Sequence, residues 1–137
     1  MNEFATSSIS LQMKTLFFLT LLVVFQVHAT PQNISGEVSL AKGVTLSPGG
    51  ILFVIAKKPG VPMPAAVLRL PEPKFPIKFS IGSKNAMSPG TPFEGPFTIT
   101  ARYSPSGDAM DKTGPQGTQS APQAIGTKNV KIEIKAH

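Results

Sequence analysis

Phe97-Thr98-Ile99-Thr100-Ala101-Arg102-Tyr103-Ser104 sets apolar or aromatic residues at 97, 99, 101 and 103 against polar ones at 98, 100, 102 and 104. Successive side chains of a strand point to opposite faces, so this period of two predicts a strand with one face buried and the other wet. Pro105-Ser106-Gly107 then turns the chain. The same alternation runs through Ile34, Gly36, Val38 and Leu40, through Ile77, Phe79 and Ile81, and through Val130, Ile132 and Ile134. Residues 51–56 (Ile-Leu-Phe-Val-Ile-Ala) are apolar without a break, which predicts a central strand covered on both faces. Residues 65–70 form the next strand, stopped by Pro71-Glu72-Pro73. Residues 109–117 read as a loop, and 120–125 as a weaker strand that Pro122 demotes to a sheet edge.

No stretch of ten residues repeats with the 3.6-residue period of a helix. About seven short strands with turn signals between them predict an all-β, antiparallel β-sandwich of the immunoglobulin-like type over residues 30–137. Composition agrees. All 12 Gly and 14 Pro of the 137 residues lie after position 30, a density no helical bundle or coiled coil tolerates, because internal Pro removes a helix hydrogen bond and clashes with the preceding turn. The absence of Cys excludes a disulfide framework, a thiolate metal site and a Cys nucleophile.

The first 29 residues differ from the rest. Met13-Lys14 precedes an apolar run over residues 16–27 that ends in Val27-His28-Ala29. A basic start, a short apolar stretch and small residues before the cut make a secretory signal peptide, cleaved after Ala29. The run is too short for a membrane-spanning helix, which needs about 20 apolar residues. Residues 1–12 carry Glu3 and no basic residue, so translation from Met13 would give the more conventional leader. The exported chain keeps the net charge of +6.

Candidate chemistry is sparse. After the leader, His137 is the sole His, so zinc and blue-copper ligand sets cannot be assembled. No cofactor is expected. No His stands near a Ser as a base, and only Asp108 and Asp111 pair carboxylates closely, in what reads as a solvated loop; no enzymatic activity is expected. Export and the lack of clustered exposed aromatics argue against nucleic acid, leaving the Lys residues for solubility or an acidic partner. Met63, Met87 and Met110 are soft thioethers that suit Cu(I), which keeps a copper-handling role as an alternative. A plain envelope structural module is another. Arg69 and Arg102 sit among apolar strand residues, placed to cap a sheet face or pair across it.

Four stretches together resemble one family. They are residues 34–40 (Ile-Ser-Gly-Glu-Val-Ser-Leu), residues 52–56 followed by Pro62-Met63-Pro64 and 65–70, Ala86-Met87-Ser88-Pro89-Gly90, and Thr100 through Ala109 with its Ala101-Arg102-Tyr103-Ser104-Pro105-Ser106-Gly107 core. This is similar to the C-terminal Ig-like domain of the c-type cytochrome biogenesis factor CycH, over about residues 34–134. The resemblance implies a periplasmic, non-catalytic role in attaching haem to apocytochrome c. The implied partner is the apocytochrome or the haem lyase complex. Members usually carry membrane segments and a helical TPR array as well, and this chain is read as the end domain alone behind its leader. Carried over to these positions, the partner-binding surface is expected at Pro62, Met63 and Pro64, at Met87, Ser88, Pro89 and Gly90, and at Ser106 and Gly107. Pro and Gly would fix these loops and lower the ordering cost of binding, while Met adapts its contact to the partner. The alternative is that the same residues merely shape turns, with Gly90 and Gly107 at positive φ and the methionines plugging the core.

Overall fold

The computed structural model describes residues 23–27, 32–90 and 92–137. Most of the expected leader lies outside the described residues; 23–27 carry no regular secondary structure, and no described helix is long and apolar enough to cross a membrane. Seven strands occur among the described residues: β1 (Ile34–Leu40), β2 (Ile51–Lys57), β3 (Ala66–Pro71), β4 (Ile77–Ile81), β5 (Thr98–Ser104), β6 (Gln116–Thr118) and β7 (Val130–Ile134). A short 3-10 turn covers Ser83–Asn85. They form two sheets, ordered β4-β1-β7 and β3-β2-β5-β6, stacked as an Ig-like sandwich.

The period-two strands supply the core from their inward positions. Ile34 and Val38 of β1, Phe79 and Ile81 of β4, and Val130, Ile132 and Ile134 of β7 meet Leu52, Val54, Ile99, Ala101 and Tyr103 of the opposing sheet. Each such aliphatic or aromatic side chain contributes about 1.5–3 kcal/mol by leaving water. Phe97, fully buried just ahead of β5, stacks on Phe93 with ring centroids 4.4 Å apart. The unbroken apolar run of β2 is buried on both faces as expected. Leu52, Val54 and Ala56 face the core, while Ile51, Phe53 and Ile55 form a second cluster with Val67 on the outer face of the sheet.

Two details depart from the sequence expectation. The sandwich is not wholly antiparallel: β1 pairs β7 in parallel, Gly36 through Leu40 lying opposite Val130 through Ile134. Alternation reports which face a residue occupies and carries no strand direction. The second departure concerns residues 109–125. The strand lies at Gln116–Thr118, across the end of the expected loop, and 120–125 contributes a single bridge between Phe97 and Gln123. Gly114 and Gly117 read as turn formers, yet they mark close backbone approaches. A Cβ on Gly117 would sit 2.1 Å from the Glu133 carbonyl oxygen, and one on Gly114 would sit 2.0 Å from that of Tyr103. Gln116 and Lys135 exchange backbone hydrogen bonds at 3.0 Å and join the two sheets along this side.

Tyr103 ties the β1–β2 connection to the core. Its ring is 3 % exposed; the hydroxyl accepts the Gly50 N–H at 3.1 Å and donates to the Ser47 carbonyl. Position 50 must be Gly, because a Cβ there would lie 2.4 Å from the Tyr103 hydroxyl oxygen. Tyr103→Phe is expected to cost about 1–3 kcal/mol, since it strips partners from a buried N–H and a carbonyl. Urea unfolding checks this, and an unchanged midpoint would show that the hydroxyl holds nothing.

Candidate docking surface

The end of the sandwich where β2 stops is built by residues 57–66. Lys58-Pro59-Gly60-Val61 makes a tight turn, closed by the Val61 N–H donating to the Lys58 carbonyl at 3.1 Å. Gly60 at φ +76° and Pro59 before it are the residues a type II turn requires. Pro62-Met63-Pro64 then leads back to the sheet, where the Ala65 N–H donates to the Ala56 carbonyl at 2.8 Å. From the other direction, Ser83–Asn85 is pinned by the Gly82 N–H donating to Asn85 Oδ1 at 3.1 Å. The chain leaves it along β3, with the Met87 N–H donating to the Ala65 carbonyl at 3.0 Å and Ala86 bridging Ala66.

These bonds bring Pro62-Met63-Pro64 and Met87-Ser88-Pro89-Gly90 together at one pole. Met63 is 70 % exposed and Met87 57 %, so neither plugs the core. Val61 is exposed beside them in sequence. Gly90 takes φ +78°, the turn role expected of it.

Ser106 and Gly107 lie at the opposite pole. β2 and β5 pair from Lys57 and Thr98 at one end to Ile51 and Ser104 at the other, roughly 20 Å of strand. Gly107, at φ +80°, packs where a Cβ would be 3.3 Å from Ile51 Cδ1. The loop beyond it holds itself together. The Ser104 hydroxyl donates to the Asp108 carbonyl at 2.7 Å, and Asp111 accepts from the hydroxyls of Thr113 at 2.6 Å and Ser106 at 2.7 Å. Those bonds, Thr113 first, hold the Asp111 carboxyl far below the usual carboxylate range. Asp108 accepts the Met110 N–H at 2.9 Å. The two carboxylates are thus spent on shaping this loop. Met110, 77 % exposed, belongs to this pole and is remote from the other two methionines. Among the described residues no three His, Cys, Asp or Glu side chains gather as a metal set.

One feature escaped the sequence reading. A cleft of about 410 Å³ opens on the outer face of the β3-β2-β5-β6 sheet, between the 58–62 turn and Thr98 and Thr100, with Lys57 and Lys58 on its wall. Lys57-Lys58 reads in sequence as a strand stop. Only the register of Lys57 opposite Thr98 places the turn beside the threonines. Arg69 and Arg102 flank Phe53 from its two neighbouring strands, on the same face.

The family model of the cytochrome c-type biogenesis protein H Ig-like domain matches residues 34–135, from the first residue of β1 to just past β7. The chain belongs to this family. The CycH-type Ig-like domain therefore occupies the whole sandwich, and the family is described by its occurrence in a cytochrome c-type biogenesis protein. An uncharacterized protein of Aquifex aeolicus (strain VF5) is 37 % identical over 83 residues, which are 61 % of this chain. The chain spans about half the length of that curated relative, 55 % of it. Among solved structures, an alternative pilotin from the type II secretion system of Vibrio cholerae superposes with a TM-score of 0.47 at 13 % identity, covering 75 % of this chain and 94 % of that one. That likeness is too loose to bear on what the CycH-type domain does.

Proposed function

We propose that this CycH-type domain is a non-enzymatic, periplasmic docking module of cytochrome c maturation, and that it engages the apocytochrome or the haem lyase complex through the Met63–Met87 pole. The observation that carries this reading is the juxtaposition of two exposed methionines on segments whose backbones are fixed by Pro, Gly and the hydrogen bond from Met87 to Ala65. A rigid backbone spares the ordering cost of binding, and a thioether side chain adapts to the partner's shape. Ser106 and Gly107, at the far pole, are assigned to turn formation. The copper alternative loses its third thioether, because Met110 lies at the far pole with them.

The test is affinity co-purification of the tagged protein from its own cells, read by mass spectrometry. Apocytochromes or maturation components are expected, and Met63→Ala with Met87→Ala should reduce their recovery at least several-fold while Met110→Ala leaves it unchanged. Recovery of unrelated envelope proteins alone would overturn the maturation role. Equal loss with Met110→Ala would overturn the assignment of the surface.

A further inference from the structure

The outer faces of the two sheets are charged in different ways. On the β4-β1-β7 sheet, Glu37 stands opposite Lys78 on one neighbour and Lys131 on the other, so the signs alternate across the face. The β3-β2-β5-β6 sheet contains Lys57, Arg69 and Arg102 and no acidic residue on any of its four strands. Lys58 adds a further cation at the rim of the cleft. The nearby Asp108 and Asp111 are taken up by bonds within their own loop. Arg102 donates through Nη1 to the Ala109 carbonyl at 3.2 Å but keeps a buried Nε–H with no partner among the described residues. The guanidinium that this sheet presents to solvent is that of Arg69 on β3, and its planar fork is suited to a carboxylate.

We infer that this outer face, from the Lys57–Lys58 cleft to the Arg69–Phe53–Arg102 row, binds an acidic, extended polypeptide segment. Spacing gives the ligand its pattern. Arg69 and Arg102 stand two strand spacings apart, roughly 10 Å, and Lys57 lies four residues along β2 from Phe53, roughly 13 Å. An extended chain covers either distance in three to four residues, so two carboxylates at that interval bridge Lys57 and one of the two arginines. Thr98 offers its hydroxyl to the backbone between them, while that of Thr100 already bonds to the Thr118 hydroxyl at 3.1 Å. A polypeptide fits better than an anionic bilayer, because Ile51, Phe53 and Ile55 are each less than 10 % exposed and leave little to insert into lipid. The inference deepens the docking role proposed above by naming the chemistry of the partner, and it rests on that reading only for the partner's cellular identity.

The exported protein, isotope-labelled and titrated in low salt with a synthetic nonapeptide bearing Glu at its third and seventh positions and Leu or Ser elsewhere, tests it by NMR. Expected are saturable shifts centred on Lys57, Arg69, Thr98 and Thr100, none around Glu37, Lys78 and Lys131, and no binding of the same peptide with Lys for Glu. Lys57→Glu with Arg69→Glu should weaken binding at least tenfold; if that variant fails to fold, the shift map and the Lys peptide decide alone. Equal shifts on both faces, absence of saturation, or binding to phosphatidylglycerol vesicles but not to the peptide would overturn the inference. Binding of the peptide without recovery of maturation partners would sink the cytochrome role and leave this one standing. Recovery of those partners without peptide binding would do the reverse.

Discussion

Phe97→Ala is expected to destabilise the domain by about 3–5 kcal/mol, the usual cost of emptying a buried aromatic site. Phe97 is fully buried, stacks on Phe93, and exchanges backbone hydrogen bonds with Gln123 at 2.7 and 2.8 Å. It therefore anchors both the long β4–β5 connection and residues 120–125 to the core. For a domain of this size the loss corresponds to a fall in melting temperature of roughly 12 °C or more. Thermal unfolding followed by circular dichroism measures it. A shift of only a few degrees would mean that neighbouring side chains collapse into the space, and that Phe93 rather than Phe97 carries the contact.

Gly36→Ala is the second large effect, of the opposite kind: it adds an atom where there is no room. A Cβ at this position would sit 2.0 Å from the Val130 carbonyl oxygen and 2.7 Å from its carbon. Backbone cannot rotate away as a side chain can, so β1 and β7 must separate where their pairing begins. Overpacking of this sort costs about 3 kcal/mol. Gly43→Ala is the matched comparison. Gly43 has nothing within 4 Å of its hypothetical Cβ and only its φ of +82° to lose, for about 1–2 kcal/mol. Denaturant unfolding of the two variants should rank Gly36→Ala clearly lower. Equal midpoints would place β1 and β7 farther apart than their register requires.

Both effects fall on residues whose importance was unevenly legible in the sequence. Phe97 begins the clearest alternation in the chain, and its inward position follows from that pattern alone. Gly36 stands where the same pattern expects an apolar side chain, and nothing local explains the gap; the reason is a backbone almost a hundred residues away. The misplacement of β6 has the same origin. Pro115 and Gly117 carry a turn signature, yet Gly117 sits in the strand that follows Pro115, where its missing side chain lets the Glu133 backbone approach. At the candidate site, the exposure and neighbourhood of Met63 and Met87 needed the Met87–Ala65 hydrogen bond to be seen, although their Pro and Gly settings were plain in sequence. Ser106-Gly107 shows the converse. It belongs to the same motif set and is carried to the other pole by the length of β5. The all-cationic sheet face was spread over three strands, each holding one cation, and became a single feature only once their register was known.

The parallel pairing of β1 and β7 also fixes how the domain bears a mechanical load. Residue 34 enters the sandwich beside Gly82 and the methionine pole, whereas Ile134 leaves at the far end, opposite Leu40. Tension applied through these two strands pulls them lengthwise in opposite directions, so the five matched positions resist together in shear instead of unzipping one after another. A partner tugging on the chain would meet the domain along its strongest axis.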